Sequence, residues 1–143
     1  MSLLLGLFAS AFLSATLLPG SSEAALLALL AASTIEPWLL VVTATAGNIL
    51  GSCVNYAIGR AIERFRNRRW FPVEARRYDQ AMGWYRRFGR WSLLASWVPV
   101  VGDPLTVVAG ALREDWRVFL ALVTLGKGAR YAAIAGAFAA WPR

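Results

Sequence analysis

The chain has 143 residues, 58% of them hydrophobic and 16% charged, with a net charge of +7. A soluble domain carries about 25% charged residues, so a soluble fold is a poor fit and a single membrane domain over residues 1–143 is the natural reading. With no histidine and one cysteine, Cys53, ordinary zinc sites, Cys-His catalytic pairs and intrachain disulfides are excluded, and no metal or cofactor is expected.

Residues 3–18 are apolar, but this is slightly short of the roughly 20 positions a spanning helix needs. They stop at Leu18-Pro19-Gly20, and the chain restarts as Glu23–Ala32. Two short arms around a proline break predict a re-entrant hairpin, a shape tolerated in a bilayer only where protein or water satisfies the freed backbone. No basic residue precedes the first arm and an apolar run follows Glu23, so a cleaved leader is not expected.

A polar turn at 33–37 leads to Trp38, an interfacial anchor, and to an apolar run reaching Gly59 that predicts a transmembrane helix. Gly47, Gly51, Asn55 and Gly59 recur every four residues with Asn48 and Ser52 beside them. That small, polar face predicts close packing on another helix.

Residues 60–90 hold ten arginines against Glu63, Glu74 and Asp79, an excess that equals the whole net charge. By the positive-inside rule this segment stays in the cytoplasm. Pro72 is placed to open a helix and Gly89 to close it, while Tyr78, Ala81, Tyr85 and Phe88 follow helical spacing opposite the arginines. The expected position is flat on the cytoplasmic surface against anionic lipid. A nucleic-acid partner is not expected, because the segment is tethered at both ends and contains no recognisable module.

Residues 91–112 repeat the broken hairpin, with Pro99 ending one arm and Asp103-Pro104 capping and opening the next. A polar return at 113–117 precedes a last span, 118–140, which ends at Trp141. The halves also match in spacing: Pro19 to Glu23 is mirrored by Pro99 to Asp103. Gly47 then follows Glu23 by 24 residues and Gly126 follows Asp103 by 23. The expected fold is an all-α integral membrane protein of two inverted repeats, 3–59 and 91–140, each a re-entrant hairpin broken at Pro19-Gly20 or Pro99-Gly102-Pro104 plus a transmembrane helix. The basic amphipathic cytoplasmic segment 60–90 joins them.

Lys127 and Arg130 stand on one face of the last span, and each costs on the order of 2.5–3.5 kcal/mol at a helix centre. Glu23 and Asp103 are the available counter-charges. With Asn48 and Asn55 they form a candidate site that takes an anionic head group on the cations and a proton on a carboxylate. In the plainer alternative, Asp103 is only an N-cap and Glu23 only favours a helix N-terminus. Two embedded acids alone match no hydrolase signature, so catalysis is not expected.

Leu18-Pro19-Gly20-Ser21-Ser22-Glu23, Gly47-Asn48-Ile49-Leu50-Gly51, Asn55-Tyr56-Ala57-Ile58-Gly59-Arg60 and Pro99-Val100-Val101-Gly102-Asp103-Pro104 with Ala109-Gly110 carry a family resemblance over nearly the whole chain. On these pieces it resembles the DedA superfamily (SNARE-associated Golgi-protein domain), most closely its YqaA-like branch. The resemblance implies a bacterial inner-membrane protein with two opposed re-entrant segments. Relatives are implicated in undecaprenyl-phosphate translocation, proton-dependent membrane homeostasis and lipid scrambling. Glu23 corresponds to the family's embedded acid. Larger relatives carry arginine near the second proline where this chain has Asp103, and Lys127 and Arg130 are the cations able to replace it. A structural or homo-oligomeric membrane factor is the alternative to a transporter.

Overall fold

The computed structural model describes residues 1–16, 21–61, 75–97 and 102–141, and within them every regular element is helical. In chain order these are α1 (Ser2–Thr16), α2 (Ser21–Ala32), α3 (Pro37–Arg60), α4 (Ala75–Phe88), a 3₁₀ helix (Gly89–Trp97), α5 (Gly102–Ala111) and α6 (Trp116–Ala140). The breaks expected at Pro19, Gly20 and Pro99, and the helix start expected at Pro72, lie outside the described residues.

Helices α3 and α6, of 24 and 25 residues, are long and apolar enough to cross a membrane. At 1.5 Å per residue they are about 36–38 Å long, which exceeds a hydrocarbon core of about 30 Å. Pro37 opens α3, where its missing N–H leaves no bond unmade. At the start of α6 the Asp115 carboxylate accepts from the Arg117 backbone N–H at 2.8 Å.

The two long helices run antiparallel. Tyr56 stacks near Phe119 with ring centroids 4.7 Å apart, whereas Asn48 meets Lys127 and Tyr131 further along. Exposed Trp38 and Trp141 therefore mark one end of the pair, and exposed Trp116 marks the other beside Arg60 and Arg117.

Small residues set how closely the remaining elements approach. A Cβ at Gly47 or Gly51 would strike the α1 backbone at Phe8 or Phe12, so the middle of α3 grips α1. A Cβ at Gly59 would strike Val107, and one at Gly110 would strike Tyr56, so the C-terminal turns of α3 grip α5. Gly126 lies against the Leu94 carbonyl of the 3₁₀ helix.

Two apolar clusters result. One joins Leu7, Ala11, Leu26, Leu40, Ala44 and Tyr131. The other gathers Leu93, Leu105, Val107, Val108, Phe119 and Val123 with side chains of α4. Along α6, Lys127 lies between Val123 of one cluster and Tyr131 of the other, so the charged side chains occupy the layer between them.

Two local expectations are corrected. Tyr78, Ala81 and Tyr85 of α4 are buried in the protein core, leaving Trp84 and Phe88 exposed, so the stripe expected to face lipid faces protein. The reason is that α5 is almost wholly apolar and needs cover where it meets α4 and the 3₁₀ helix. Asp103 stands inside the first turn of α5, after Gly102, rather than at the cap, and its carboxylate pairs with a side chain of α6.

Candidate functional site

Lys127 is a charged side chain held in the interior, 1% exposed. Its Nζ lies 2.7 Å from Asp103 Oδ1 on α5 and also donates to Asn48 Oδ1 on α3. One turn on, Arg130 forms an ion pair with Glu23 on α2. The cations of one long helix are thus paired with acids from two different short helices, which offsets part of the cost of holding charge in an apolar layer.

Directions of hydrogen bonding around Lys127 follow from what each group is able to do. An ammonium only donates, so Asn48 Oδ1 accepts and Asn48 Nδ2 donates, to Tyr131 Oη at 3.0 Å and to the Ala11 carbonyl at 3.1 Å. Tyr131 keeps its own proton for Ser22 Oγ at 2.7 Å, and Ser22 donates on to Ser14 Oγ at 3.2 Å. A one-way chain from Lys127 to Ser14 therefore touches α6, α3, α2 and α1, and Asp103 adds α5. An amide stands in its middle, so the chain fixes geometry and does not itself pass protons.

The approach that Gly47 and Gly51 permit brings the α1 carbonyls within reach of α3 side chains. Asn55 Nδ2 donates to the Ala15 carbonyl at 2.8 Å and to Thr106 Oγ1 at 3.2 Å, and Thr106 donates to the Asp103 carbonyl at 2.6 Å. Asn55 is therefore tied to α1 and to the turn carrying Asp103 rather than to the cations. Its Oδ1, buried, has no hydrogen-bond partner, and neither has Ser96 Oγ.

Of the residues singled out from sequence, Glu23, Asp103, Lys127, Arg130 and Asn48 come together in one layer. Gly102 and Pro104 lie buried in the first turn of α5. Tyr131, Ser22, Ser14 and Thr106 were not anticipated. For Tyr131 there was a signal: it follows Lys127 by four residues, and a phenol in the middle of an apolar span needs a partner for its hydroxyl.

A second polar cluster sits at the Arg60 end. Tyr85 donates to Glu114 Oε2 at 2.5 Å, Arg90 lies 3.5 Å from Glu114 Oε1, and Tyr56 donates to the Glu114 carbonyl. These contacts pin α4 to the α5–α6 turn. Burial, followed by the Glu114 carboxylate, holds the Tyr85 phenol above the ordinary tyrosine range.

The VTT domain family model matches residues 18–140. The chain is 46% identical over 134 residues to inner membrane protein YqaA of Escherichia coli (strain K12), covering 94% of this chain and 89% of that protein. The same figures hold for inner membrane protein YqaA of Shigella flexneri. A Haemophilus influenzae protein of uncharacterised function is 39% identical over 135 residues, covering 90% of this chain and 82% of that one. No solved structure matches.

Proposed function

This chain belongs to the VTT-domain (DedA) family and is an inner-membrane protein, and from that premise we propose that it moves or exchanges a lipid-linked or other amphipathic anion across the bilayer, with a role in membrane homeostasis. The observation that carries the reading is the charged layer on α6. Lys127 and Arg130 each meet an acid from a separate short helix, in a position where charge without a task is selected against.

Length favours two re-entrant hairpins. The described parts of α1, α2 and α5, of 15, 12 and 10 residues, span about 22, 18 and 15 Å, against a core about 30 Å thick. The antiparallel long helices favour an inverted repeat. Gly47 packs on the first arm of one hairpin and Gly126 on the first arm of the other, and their neighbours Asn48 and Lys127 bond to each other, as equivalent positions beside a pseudo-twofold axis do. The arginines of 60–90 put that segment in the cytoplasm, in contact with anionic lipid. In this reading an anion is held by the cations, and Glu23 or Asp103 takes up a proton when its partner is engaged.

Reconstituted liposomes test it. Flux of a labelled anionic lipid is expected in wild type and lost in Glu23→Gln, Asp103→Asn, Lys127→Ala and Arg130→Ala. A stable protein without flux across the panel contradicts transport and favours a structural or oligomeric factor.

A further inference from the structure

The two ion pairs differ in how they are held. Lys127 is enclosed, its ammonium already has two acceptors in Asn48 and Asp103, and its acid stands on a helix of which eight of ten residues are buried. The backbone that carries Asp103 is therefore held in the core. The acids do not differ in exposure in that sense, the Glu23 side chain being 19% exposed and that of Asp103 29%, but Glu23 stands on a helix of which only Ser22 and Leu26, two of twelve residues, are buried. α2 is the arm that can shift at least cost to packing.

Chemistry points the same way. A guanidinium presents five donors in a planar fork that matches the two-oxygen edge of a carboxylate or phosphate, whereas an ammonium is a compact point charge. Next to this pair the Tyr131–Ser22 bond is a second rung between α6 and α2, and the Arg130 guanidinium lies 5.7 Å from the Tyr131 ring centre.

We infer that Lys127–Asp103 is a fixed strut, that Arg130 is the anion-binding residue, and that the Glu23 carboxylate occupies its place until an oxyanion of the phosphate type replaces it and α2 shifts. Tyr131, through Ser22, is a positioning residue that holds α2 closed. This division of roles rests on the transport reading and specifies its site. The oxyanion comes either from a lipid head group or from free phosphate.

The test places spin labels at Leu27 on α2 and Leu125 on α6, both exposed, in full-length protein with Cys53→Ser. Nanodiscs of phosphatidylcholine with added inorganic phosphate form one arm, and nanodiscs containing phosphatidic acid form the other. A second distance population is expected in one arm, and which arm responds identifies the source. Glu23→Gln removes the competing carboxylate, so the response is expected at about tenfold lower ligand concentration. Tyr131→Phe raises the shifted fraction without ligand. Because Arg130→Ala leaves Glu23 unpaired, Glu23→Gln with Arg130→Gln removes both charges together; it is expected to melt like wild type and lose the response. The proposal is overturned if Glu23→Gln weakens the response, if neither arm moves α2, or if the response survives the double variant and disappears with Lys127→Met. Movement without liposome flux upholds this division and contradicts translocation. Flux without movement does the reverse.

Discussion

Lys127 and Asn48 bond directly across the antiparallel helices α3 and α6, each one residue after a glycine that packs on a neighbouring helix backbone. The amide does two things at once, because its oxygen takes the ammonium while its nitrogen holds Tyr131 and the Ala11 carbonyl. One side chain therefore links the charged pair on α5 and α6 to the first two helices.

Asn48→Ala leaves Lys127 with Asp103 alone and leaves Tyr131 without its donor. The expected loss is about 1–3 kcal/mol, the usual cost of orphaning buried polar groups. Denaturant unfolding in mixed micelles measures it, and an unchanged midpoint argues against the link.

Removing one partner of the Lys127–Asp103 pair leaves a buried charge, so Lys127→Met and Asp103→Leu are each expected to cost about 3–5 kcal/mol. Made together they restore much of the loss. A double-mutant cycle gives the coupling, and strictly additive losses would show that the pair is not formed in the bilayer.

Helix packing gives a contrast between glycines. A Cβ at Gly59 would meet the backbone of Val107 and Ala111, so Gly59→Ala is expected to cost about 1–3 kcal/mol or more. Gly136 has nothing within 4 Å, and Gly136→Ala is expected to be neutral or to stabilise by up to about 1 kcal/mol. Equal effects in thermal unfolding would contradict the α3–α5 contact.

The Tyr85–Glu114 bond has a pH signature. The folded protein keeps the Tyr85 phenol neutral beyond its ordinary value of about 10, so the stability it contributes is complete below that pH and is lost as pH rises above it. In an ultraviolet titration, the difference between wild type and Tyr85→Phe should have its midpoint above the ordinary range. A midpoint at the ordinary value would mean that α4 is not docked on Glu114.

Much of the architecture was readable because lipid restricts the options. The long apolar runs lead to α3 and α6, and the glycine period along α3 led to close packing. That Lys127 and Arg130 need partners followed from the cost of burying charge, but the pairing did not. Glu23 and Asp103 are equally good counter-charges until the rotation of α6 directs Lys127 to α5 and Arg130 to α2. Ser14, Ser22 and Thr106 gave no signal, since serine and threonine are ordinary members of small helix-packing faces. The facing of α4 was misread because an amphipathic stripe states only that one side is buried. Whether lipid or protein covers it depends on α5, a non-local partner.

The most direct measurement of the account is the depth of the charged layer in a bilayer. Ala129 is exposed on α6 between Lys127 and Arg130, and a single nitroxide there reports depth through its relative collisions with oxygen and a water-soluble nickel chelate. High oxygen and low nickel accessibility at Ala129, with the reverse at Trp116 and Trp141, is the predicted result. Nickel accessibility at Ala129 equal to that at the two helix ends would contradict it.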